Sequence, residues 1–288
     1  MTRQVCLVLH ANRTDVPPLA RHIATRLHHL GIEVATLAEA HEPDEYAEFD
    51  PARCEIAVVL GGDGTILRAA ELLRATTIPL LGINLGRVGF LAELEASEVD
   101  MLVTSIAEHR WRIEHRRALA VRVTNPDGSQ WDSWALNEVA VEKSLRDRML
   151  EVIVSVEGRP VMAWAGDGLI CATPTGSTAY AFSAGGPILW PDVDAHLLVP
   201  VAAHALFARP LVTAPSAQID IVIADELAPA IVVCDGRRTI LAQPGAHVMV
   251  GESTVAVPFA RVHPASFADR LVAKFQLPVT GWRQREQQ

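Results

Sequence analysis

A strand pattern and a helix pattern meet at a glycine-rich elbow in IAVVLGGDGTILRAAELL, residues 56–73. Ile56–Leu60 has the length and the β-branched content of a buried strand, whereas Thr65–Leu73 repeats apolar residues at helical spacing. A strand that turns directly into a helix is the unit from which a parallel sheet covered by helices is built. The stretch therefore predicts an α/β fold for the part of the chain that contains it.

The same alternation extends over the first 110 residues. Short apolar runs alternate with segments of helical periodicity, which end at glycines or loop residues. We predict strands at Gln4–His10, Ile32–Leu37 and Ile78–Ile83, and helices at Pro17–Leu30 and Ser97–Glu108 with Ser97 as an N-cap. These elements predict an α/β N-terminal domain, residues 1–110, with a largely parallel sheet.

Beyond Trp111 the pattern changes to short strands separated by turn residues. Apolar alternation at 119–123 and 135–141 flanks the turn sequence Asn125–Gly128, which is typical of a hairpin. Residues 111–261 are therefore predicted to form an all-β C-terminal domain, antiparallel and sandwich-like, and the tail 262–288 to return to the first domain. Further short strands are predicted at Glu151–Val156, Ile219–Ile223, Ala230–Cys234, Thr239–Ala242, His247–Val250 and Thr254–Val257.

Charge and cysteine usage narrow the class of protein. The net charge of −9 argues against broad nucleic-acid binding, which depends on neutralisation of phosphates by Lys and Arg. The four cysteines are far apart and lie mostly in apolar runs, which favours buried, reduced thiols over metal ligands or disulfides. Gly168–Pro191 is uncharged and long enough to cross a bilayer, but its glycines and prolines favour loop and strand. With no signal-peptide pattern after Met1, we expect a soluble cytoplasmic protein.

The elbow Gly61-Gly62-Asp63-Gly64 favours a phosphate site over a plain turn with Asp63 as helix cap. Glycines allow a ligand to approach the backbone, and the N–H groups at a helix start favour phosphate. The sequence has neither the P-loop pattern nor the dinucleotide pattern G-x-G-x-x-G. Phosphoryl transfer needs a group that receives the hydroxyl proton, and Asp63 is a candidate. Arg68 is a candidate for offsetting phosphate charge, although an exposed surface arginine fits the pattern equally well.

A second informative stretch is TPTGSTAYAFSAGGP, residues 173–187, which contains no charged residue. An uncharged loop is expected to be covered, and its many hydroxyl groups then need hydrogen-bond partners. Tyr180 and Phe182 offer flat faces for a purine. The alternative is a long connection between strands.

Several polar residues remain ambiguous from their local sequence. Asn137-Glu138 lies in a strand-like segment, where the pair serves a ligand or simply starts an edge strand. Asp167 between two glycines is explained equally well by a turn. Arg148 falls in a charged stretch typical of a solvated hairpin tip, and Asp235-Gly236 is typical of a hairpin turn.

Taken together, the order of these motifs resembles the NAD kinase family over nearly the whole chain, and the compact length resembles its bacterial members. GGDGT alone is shared with diacylglycerol-type lipid kinases and phosphofructokinases, whereas TPTGSTAY after it narrows the choice. The motifs that carry the resemblance are GGDGT at 61–65, NLGRVGFL at 84–91, NE at 137–138, TPTGSTAYAFSAGGP at 173–187, HALFARPL at 204–211 and DG at 235–236.

The resemblance implies an ATP- or polyphosphate-dependent kinase that phosphorylates the adenosine 2′-hydroxyl of NAD to give NADP. Asp63 matches the family's proton acceptor, and Gly61, Gly62, Gly64 and Thr65 match the loop that faces the phosphate donor. The positions that match contacts to NAD are Asp63, Gly64, Arg68, Asn137, Glu138, Arg148, Asp167, Thr178, Ala179, Tyr180, Ala181, Phe182 and Ser183.

The family also implies a divalent cation, commonly Mg²⁺, with no metal ligands identified in this sequence. It implies a homodimer or homotetramer. From the charge and the sequence pattern we expect no nucleic-acid or membrane partner. Two rival functions remain on the residues alone: a lipid kinase that shares the glycine-rich acid, and a non-catalytic dinucleotide sensor. No basic amphipathic helix suited to a membrane surface supports the first, and only an assay for NADP separates the second.

Overall fold

The computed structural model describes residues 2–37, 46–86, 89–224, 228–263 and 266–279. Of the tail predicted from residue 262, residues 264–265 and 280–288 lie outside this description. The strands are β1 (Gln4–Leu9), β2 (Glu33–Thr36), β3 (Cys54–Leu60), β4 (Leu80–Asn84), β5 (Leu94–Glu95), β6 (Arg112–Arg116), β7 (Leu119–Thr124), β8 (Gln130–Ala135), β9 (Glu138–Lys143), β10 (Leu150–Val156), β11 (Arg159–Gly166), β12 (Gly168–Ala172), β13 (His196–Val201), β14 (Leu211–Thr213), β15 (Ile219–Ile223), β16 (Ala230–Cys234), β17 (Arg238–Ala242), β18 (His247–Glu252) and β19 (Val257–Arg261). The helices are α1 (Val16–His29), α2 (Asp63–Leu72), α3 (Val99–Ala107), α4 (Tyr180–Ser183) and α5 (Phe267–Phe275).

The chain divides into two compact units. The first combines Met1–His115 with Val257–Gln288, and the second is Arg116–Ala256. The first unit is α/β with a mainly parallel sheet, and the second is built from antiparallel sheets. The predicted fold class is confirmed.

The sheet of the first unit has the strand order β2-β1-β3-β4-β19-β6, with β5 beside β4. The pairs β1–β2, β1–β3 and β3–β4 are parallel. The chain leaves β1 through α1 toward one edge of the sheet, and leaves β3 through α2 toward the other. The carboxyl ends of β1 and β3 are therefore a topological switch point, where open α/β sheets bind their ligands. The elbow 61–64 follows β3 at this point, and Gly61 N–H donates to Ile83 O at 3.0 Å.

Helix α1 shows how the sequence pattern produces this layer. Prolines occupy its first turn, where a missing N–H costs no hydrogen bond, and Gly31 follows its end with a φ of 72°. Its buried face packs into the core on one side of the sheet, and each fully buried aliphatic side chain contributes about 1.5–3 kcal/mol. The buried residues of α1 are Val16, Ala20, Ile23, Ala24 and Leu27.

Two predictions in the first unit were wrong. Ser97 is not an N-cap, because it lies inside a 3₁₀ turn over Ala96–Glu98 and α3 begins at Val99. Glu95 and Glu98 form a reciprocal capping box there, which replaces the expected serine. The strand predicted at Thr254–Val257 is instead β19, which begins at Val257 and pairs in parallel with β4.

The second unit consists of two six-stranded sheets, ordered β11-β10-β15-β18-β7-β8 and β14-β13-β12-β9-β16-β17. Alternate residues of both sheets, such as Val121, Val141 and Val232, belong to one buried core cluster. A smaller cluster lies on the other face of the second sheet, where Ala140 and Ile170 pack with Ala181 of α4. The segment 175–186 therefore covers the outer face of that sheet.

The alternation at 135–141 is not one strand, as predicted, but the junction of two. The hairpin β7–β8 ends at Ala135, and β9 begins at Glu138 in the other sheet. Leu136 and Asn137 carry the chain between the sheets, and their backbone N–H groups donate to the side chain of Asp235. A distant carboxylate thus stabilises a break that local periodicity does not reveal.

The uncharged stretch 168–191 comprises β12, a 3₁₀ turn over Thr175–Thr178 and the short helix α4. Among the residues that the structure describes, no helix is both long and apolar enough to cross a membrane.

Candidate active site

Asp63 is the first residue of α2, and its carboxylate turns away from the helix. The N-cap position belongs to Gly62, so the alternative in which Asp63 caps α2 was wrong. Instead, Phe90 N–H donates to Asp63 Oδ2 at 3.0 Å and Leu91 N–H donates to Oδ1 at 3.1 Å. Each carboxylate oxygen has a second lone pair, so the half-buried group retains the capacity to accept a ligand proton.

Gly89 makes this arrangement possible. A Cβ atom on Gly89 would lie 2.3 Å from Asp63 Oδ1 and 2.8 Å from its Cγ. Only glycine therefore allows the segment 89–91 to approach the carboxylate closely enough for two backbone hydrogen bonds. The elbow 61–64 and the segment 89–91 therefore pack together around Asp63.

The elbow itself is open where a ligand would need space. A Cβ on Gly62 or Gly64 would meet nothing within 4 Å, whereas one on Gly61 would lie 2.3 Å from Thr65 Oγ1. The first N–H groups of a helix have no intrahelical partner, so the start of α2 presents donors and a positive dipole end to this space. Arg68 lies half-buried one turn after Gly64 on the same helix. These features suit a phosphate.

A buried charge cluster holds the segment 89–91 from its other side. Arg270 Nη1 donates to Phe90 O at 3.2 Å, and Arg261 Nη1 donates to Leu91 O at 3.3 Å. Glu93, with a fully buried side chain, accepts from Arg261 at 3.0 Å and from Arg270 at 2.7 Å. Burial and the neighbouring Arg261 lower the pKa of Arg270. The cluster lies entirely within the first unit.

In the second unit, Asp235 fixes the backbone of the Asn137-Glu138 pair. Its Oδ1 accepts from Asn137 N–H at 2.7 Å and from Glu138 N–H at 3.3 Å, and its Oδ2 accepts from Leu136 N–H at 2.9 Å. Arg238 Nη2 completes the shell at 3.0 Å and donates to Trp134 O as well. Burial raises the pKa of Asp235, and the N–H groups of Leu136 and Asn137 oppose that rise.

Glu138, next to this carboxylate, is a buried acid whose side chain is not fully used by hydrogen bonds among the described residues. The residue is 8% exposed, and its Oε2 has no hydrogen-bond partner among the described atoms. Burial and the nearby Asp235 carboxylate raise the pKa of Glu138 to about 7, while the N–H of Tyr180 lowers it. A buried carboxyl oxygen without a partner is costly unless a ligand satisfies it, so Glu138 is a strong candidate for binding a hydroxyl group.

Tyr180 and Phe182 present rings beside this acid. They are 36% and 38% exposed, whereas Ala181 between them is buried against the sheet. Burial and a hydrogen bond with Glu142 raise the pKa of Tyr180 to about 12. Asp167 lies close enough to contribute to that shift, and Lys143 Nζ forms an ion pair with it at 2.5 Å.

The hydroxyl groups of Thr173 and Ser177, before α4, form hydrogen bonds within the protein. Thr173 Oγ1 donates to Leu136 O at 2.6 Å, and Ser177 Oγ donates to Pro174 O at 2.6 Å, with both residues fully buried. A Cβ on Gly176 would lie 2.0 Å from Asn137 O. The loop 173–178 therefore packs directly on the backbone of Asn137, which brings the two predicted motifs together.

Comparison with known proteins identifies the family of this chain. The ATP-NAD kinase N-terminal domain model matches residues 1–111, and the ATP-NAD kinase C-terminal domain model matches residues 136–262. NAD kinase 2 of Streptomyces coelicolor is 46% identical over 98% of this chain and 97% of its own length. The NAD kinase of Mycolicibacterium paratuberculosis is 48% identical over 98% of both chains.

This chain belongs to the NAD kinase family. Two solved structures share its fold. An NAD kinase from Archaeoglobus fulgidus in complex with ATP has a TM-score of 0.75 and 26% identity over 96% of this chain and 100% of its own. The yeast NADH kinase complexed with NADH has a TM-score of 0.85 over 97% of this chain and 89% of its own, and at 22% identity it supports the fold alone.

Within each of the two units, the structure brings most of that unit's family motifs together. In the second unit, Asn137, Glu138, Tyr180 and Asp167 are linked by the contacts described above. Arg148 lies in the exposed connection 144–149 between β9 and β10, and the described contacts include none that links it to those residues.

Sequence reasoning missed the groups that hold the two acids in place. Residues 89–91 were included in a motif, but nothing local indicated that their N–H groups bind Asp63. Asp235 was interpreted as a turn residue, which it is, with a φ of 52°. A glycine beside an acid marks both sites, but the partner of each acid lies far away in the sequence.

Proposed function

We propose that this member of the NAD kinase family transfers the γ-phosphoryl group of ATP to the adenosine 2′-hydroxyl of NAD, forming NADP and ADP. The observation that carries the proposal is the Asp63 carboxylate, held by two backbone N–H groups beside an open glycine elbow at the sheet's switch point. An acid fixed in this way beside open space is placed to accept a proton from a hydroxyl group of a bound substrate.

In the proposed reaction, Asp63 accepts the proton of the 2′-hydroxyl as that oxygen forms a bond to the γ-phosphorus. The bond between the γ-phosphorus and the bridging oxygen breaks, and ADP leaves with the bond's electron pair. The N–H groups at the start of α2 and the nearby Arg68 offset charge on the transferring group. Because such transition states are loose, positioning and charge neutralisation supply most of the acceleration.

The second unit supplies recognition of the dinucleotide in this proposal. Glu138 accepts a hydrogen bond from a ribose hydroxyl through its Oε2, which has no partner among the described atoms, and Asn137 contributes its buried amide side chain beside it. The exposed faces of Tyr180 and Phe182 stack on the bases. Thr178 to Ser183 enclose the adenine and ribose portions.

The donor chemistry implies Mg²⁺, and the residues present fit an ion that arrives with the nucleotide. Among the described residues no group of three or more His, Cys, Asp or Glu side chains is arranged to hold a metal. Mg²⁺ keeps several waters and binds through one or two carboxylates plus substrate phosphates, so no protein cage is required. Asp63, the acid of the elbow, is the carboxylate proposed to lie near it. When bound, the ion would neutralise negative charge on the phosphoryl groups of the nucleotide.

The cellular setting is part of the same proposal. The four cysteines are buried free thiols, as suits a reducing cytoplasm. A homodimer or homotetramer is supported by large apolar side chains exposed on the second unit, including Leu206, Phe207, Ile153 and Val161. Light scattering of the purified protein tests this assembly, and a monomer at micromolar concentration would contradict it.

An acceptor and donor panel tests the function directly. Purified protein is incubated with Mg²⁺ and either NAD, NADH or diacylglycerol, each with ATP or inorganic polyphosphate, and phosphorylated product is measured. We expect NADP from NAD and ATP, and no phosphorylated lipid. Binding of NAD without NADP from any donor would instead identify a dinucleotide sensor, and product from polyphosphate alone would reassign the donor.

A further inference from the structure

The two residues that hold Asp63 are themselves held by the carboxyl-terminal segment of the first unit. Phe90 donates its N–H to Asp63 and accepts from Arg270 of α5 at its carbonyl. Leu91 does the same with its N–H on Asp63 and its carbonyl on Arg261 of β19. Each residue is therefore fixed at both its N–H and its carbonyl, with the acid on one side and an arginine on the other.

Glu93 joins the two arginines into one rigid group. Its Oε2 accepts from both guanidinium groups, and its Oε1 accepts the backbone N–H groups of Val262 and His263 at 3.1 and 2.8 Å. The side chains of Glu93 and Arg261 are 0% and 1% exposed. A buried charge cannot leave its partner without a large penalty, so the three side chains hold one arrangement.

Aromatic packing adds a third constraint on the same segment. The ring of Phe90 lies 5.7 Å from that of Phe267 and 5.9 Å from that of Phe275, measured between centroids. Both partners are on α5, so this helix contacts Phe90 at its side chain as well as its carbonyl. Tilted rings at this separation are favourable aromatic pairs.

We propose that Arg270, Arg261 and Glu93 are positioning residues for the proton acceptor. They fix segment 89–91, which in turn fixes the Asp63 carboxylate, so α5 and β19 take part in catalysis without touching substrate. This inference rests on the proposed function, in which Asp63 receives the 2′-hydroxyl proton. A misplacement of about 1 Å in such a group costs up to roughly 100-fold in rate, so loosening the rim of the cluster is expected to cost about tenfold.

Arg270→Gln is the test variant, because Arg270 lies at the rim of the cluster while Arg261 is in its centre. Arg26→Gln is the matched control, an arginine on α1 of the same unit whose ion pair with Asp100 is at the surface. We expect Arg270→Gln to lower kcat about tenfold while the Kd for NAD, measured by calorimetry, stays within twofold. Arg270→Lys, which keeps a cation beside both acceptors, is expected to recover most of the turnover.

The possible results separate the hypotheses. Unchanged kcat in folded Arg270→Gln, or a parallel loss of kcat, NAD affinity and thermal stability that Arg270→Lys does not restore, overturns the inference. If Arg270→Gln does not fold, Phe275→Leu replaces it, with an expected loss of about threefold in kcat and the same NAD affinity; wild-type kcat there counts against the inference. A wild-type protein that forms no NADP overturns the proposed function as well, whereas activity in wild type and Arg26→Gln limits any failure to this inference.

Discussion

The carboxylates of Asp63 and Asp235 are both held by backbone N–H groups, but their surroundings differ. Each precedes a glycine, and each carboxylate accepts backbone N–H groups from a segment far away in the sequence. Asp63 is half-buried and has two such donors, with open space beside the elbow. Asp235 has three backbone donors and an arginine, and its side chain is 2% exposed. The number of donors and the exposure therefore distinguish the acid proposed to react, Asp63, from the acid that fixes the backbone of other residues, Asp235.

The difference also shows what each acid positions. Asp63 is held by two backbone N–H groups beside the open glycine elbow. Asp235 accepts the backbone N–H groups at 136–138, and so fixes Glu138, whose Oε2 has no hydrogen-bond partner among the described atoms, in the proposed dinucleotide site. In kinetic terms, the first acid should control turnover and the second should control NAD affinity.

The largest effect is expected from Asp63→Asn, which removes the proposed proton acceptor and also places an N–H₂ group against one of its two backbone N–H donors. Loss of a general base typically costs about 10²- to 10⁴-fold in rate. We expect kcat to fall within that range while calorimetry gives a Kd for NAD close to that of the wild type. Full turnover in a folded Asp63→Asn protein would exclude Asp63 as the base.

Asp235→Asn should produce the opposite pattern. The amide places an N–H₂ group against a backbone N–H that previously had an acceptor, and hydrogen bonds to charged groups contribute about 1.5–3 kcal/mol. We expect the Kd for NAD to rise about tenfold or more, with a smaller change in kcat and none in the KM for ATP.

Asp127→Asn is the matched control for that experiment. Asp127 also accepts a backbone N–H in a hairpin turn, from Ser129 at 2.8 Å, but its turn is exposed and the described hydrogen bonds link it to none of the predicted site residues. It should leave NAD affinity unchanged. Equal NAD affinity in Asp235→Asn and Asp127→Asn would remove the distinction between the two acids.

The comparison also explains how far the sequence could predict this molecule. The order of elements and the fold class follow from periodicity, and GGDGT and TPTGSTAY are local patterns that identify their own loops. The break between β8 and β9 was missed because it is stabilised by Asp235, about a hundred residues away. The partners of Asp63 were missed for the same reason, since the donors are N–H groups that every residue except proline possesses. The chemical type of a side chain can be read from the local sequence, whereas its position in the folded protein depends on tertiary contacts.

An intermediate effect is expected from Gly176→Ala, which tests whether loop 173–178 helps to position the Asn137-Glu138 pair. The new Cβ would lie 2.0 Å from Asn137 O, so the backbone has to move. Such overpacking costs about 1–3 kcal/mol in the free energy of unfolding, and the KM for NAD should rise several-fold. Gly251→Ala is the control in the same unit, because its Cβ would meet nothing within 4 Å. A Gly176→Ala protein that behaves like this control would show that the loop yields without disturbing the site.

The smallest effect concerns a buried titratable group outside both sites. His196 is fully buried, neither ring nitrogen has a hydrogen-bond partner among the described atoms, and burial lowers its pKa. Because the unfolded chain binds a proton near pH 6.5 more readily than the folded protein does, the free energy of unfolding should fall as the pH drops below about 6.5, by at most about 1.4 kcal/mol per pH unit. Glu138 changes the free energy of unfolding in the opposite direction, since its pKa is raised to about 7 and its contribution to stability is lost as the pH rises toward that value.

The pH dependence of the free energy of unfolding therefore has to be compared between variant and wild type. In urea denaturation, the change in the free energy of unfolding from pH 5.5 to pH 7.5 should be less positive in His196→Leu than in wild type, whereas the exposed control His247→Leu should show the wild-type change. NAD affinity and kcat at pH 7.5 should be unchanged in both variants, because burial alone does not make an ionisable group functional. A change in NAD affinity in His196→Leu alone would mean that the site extends further into the second unit than Asp235 and Glu138.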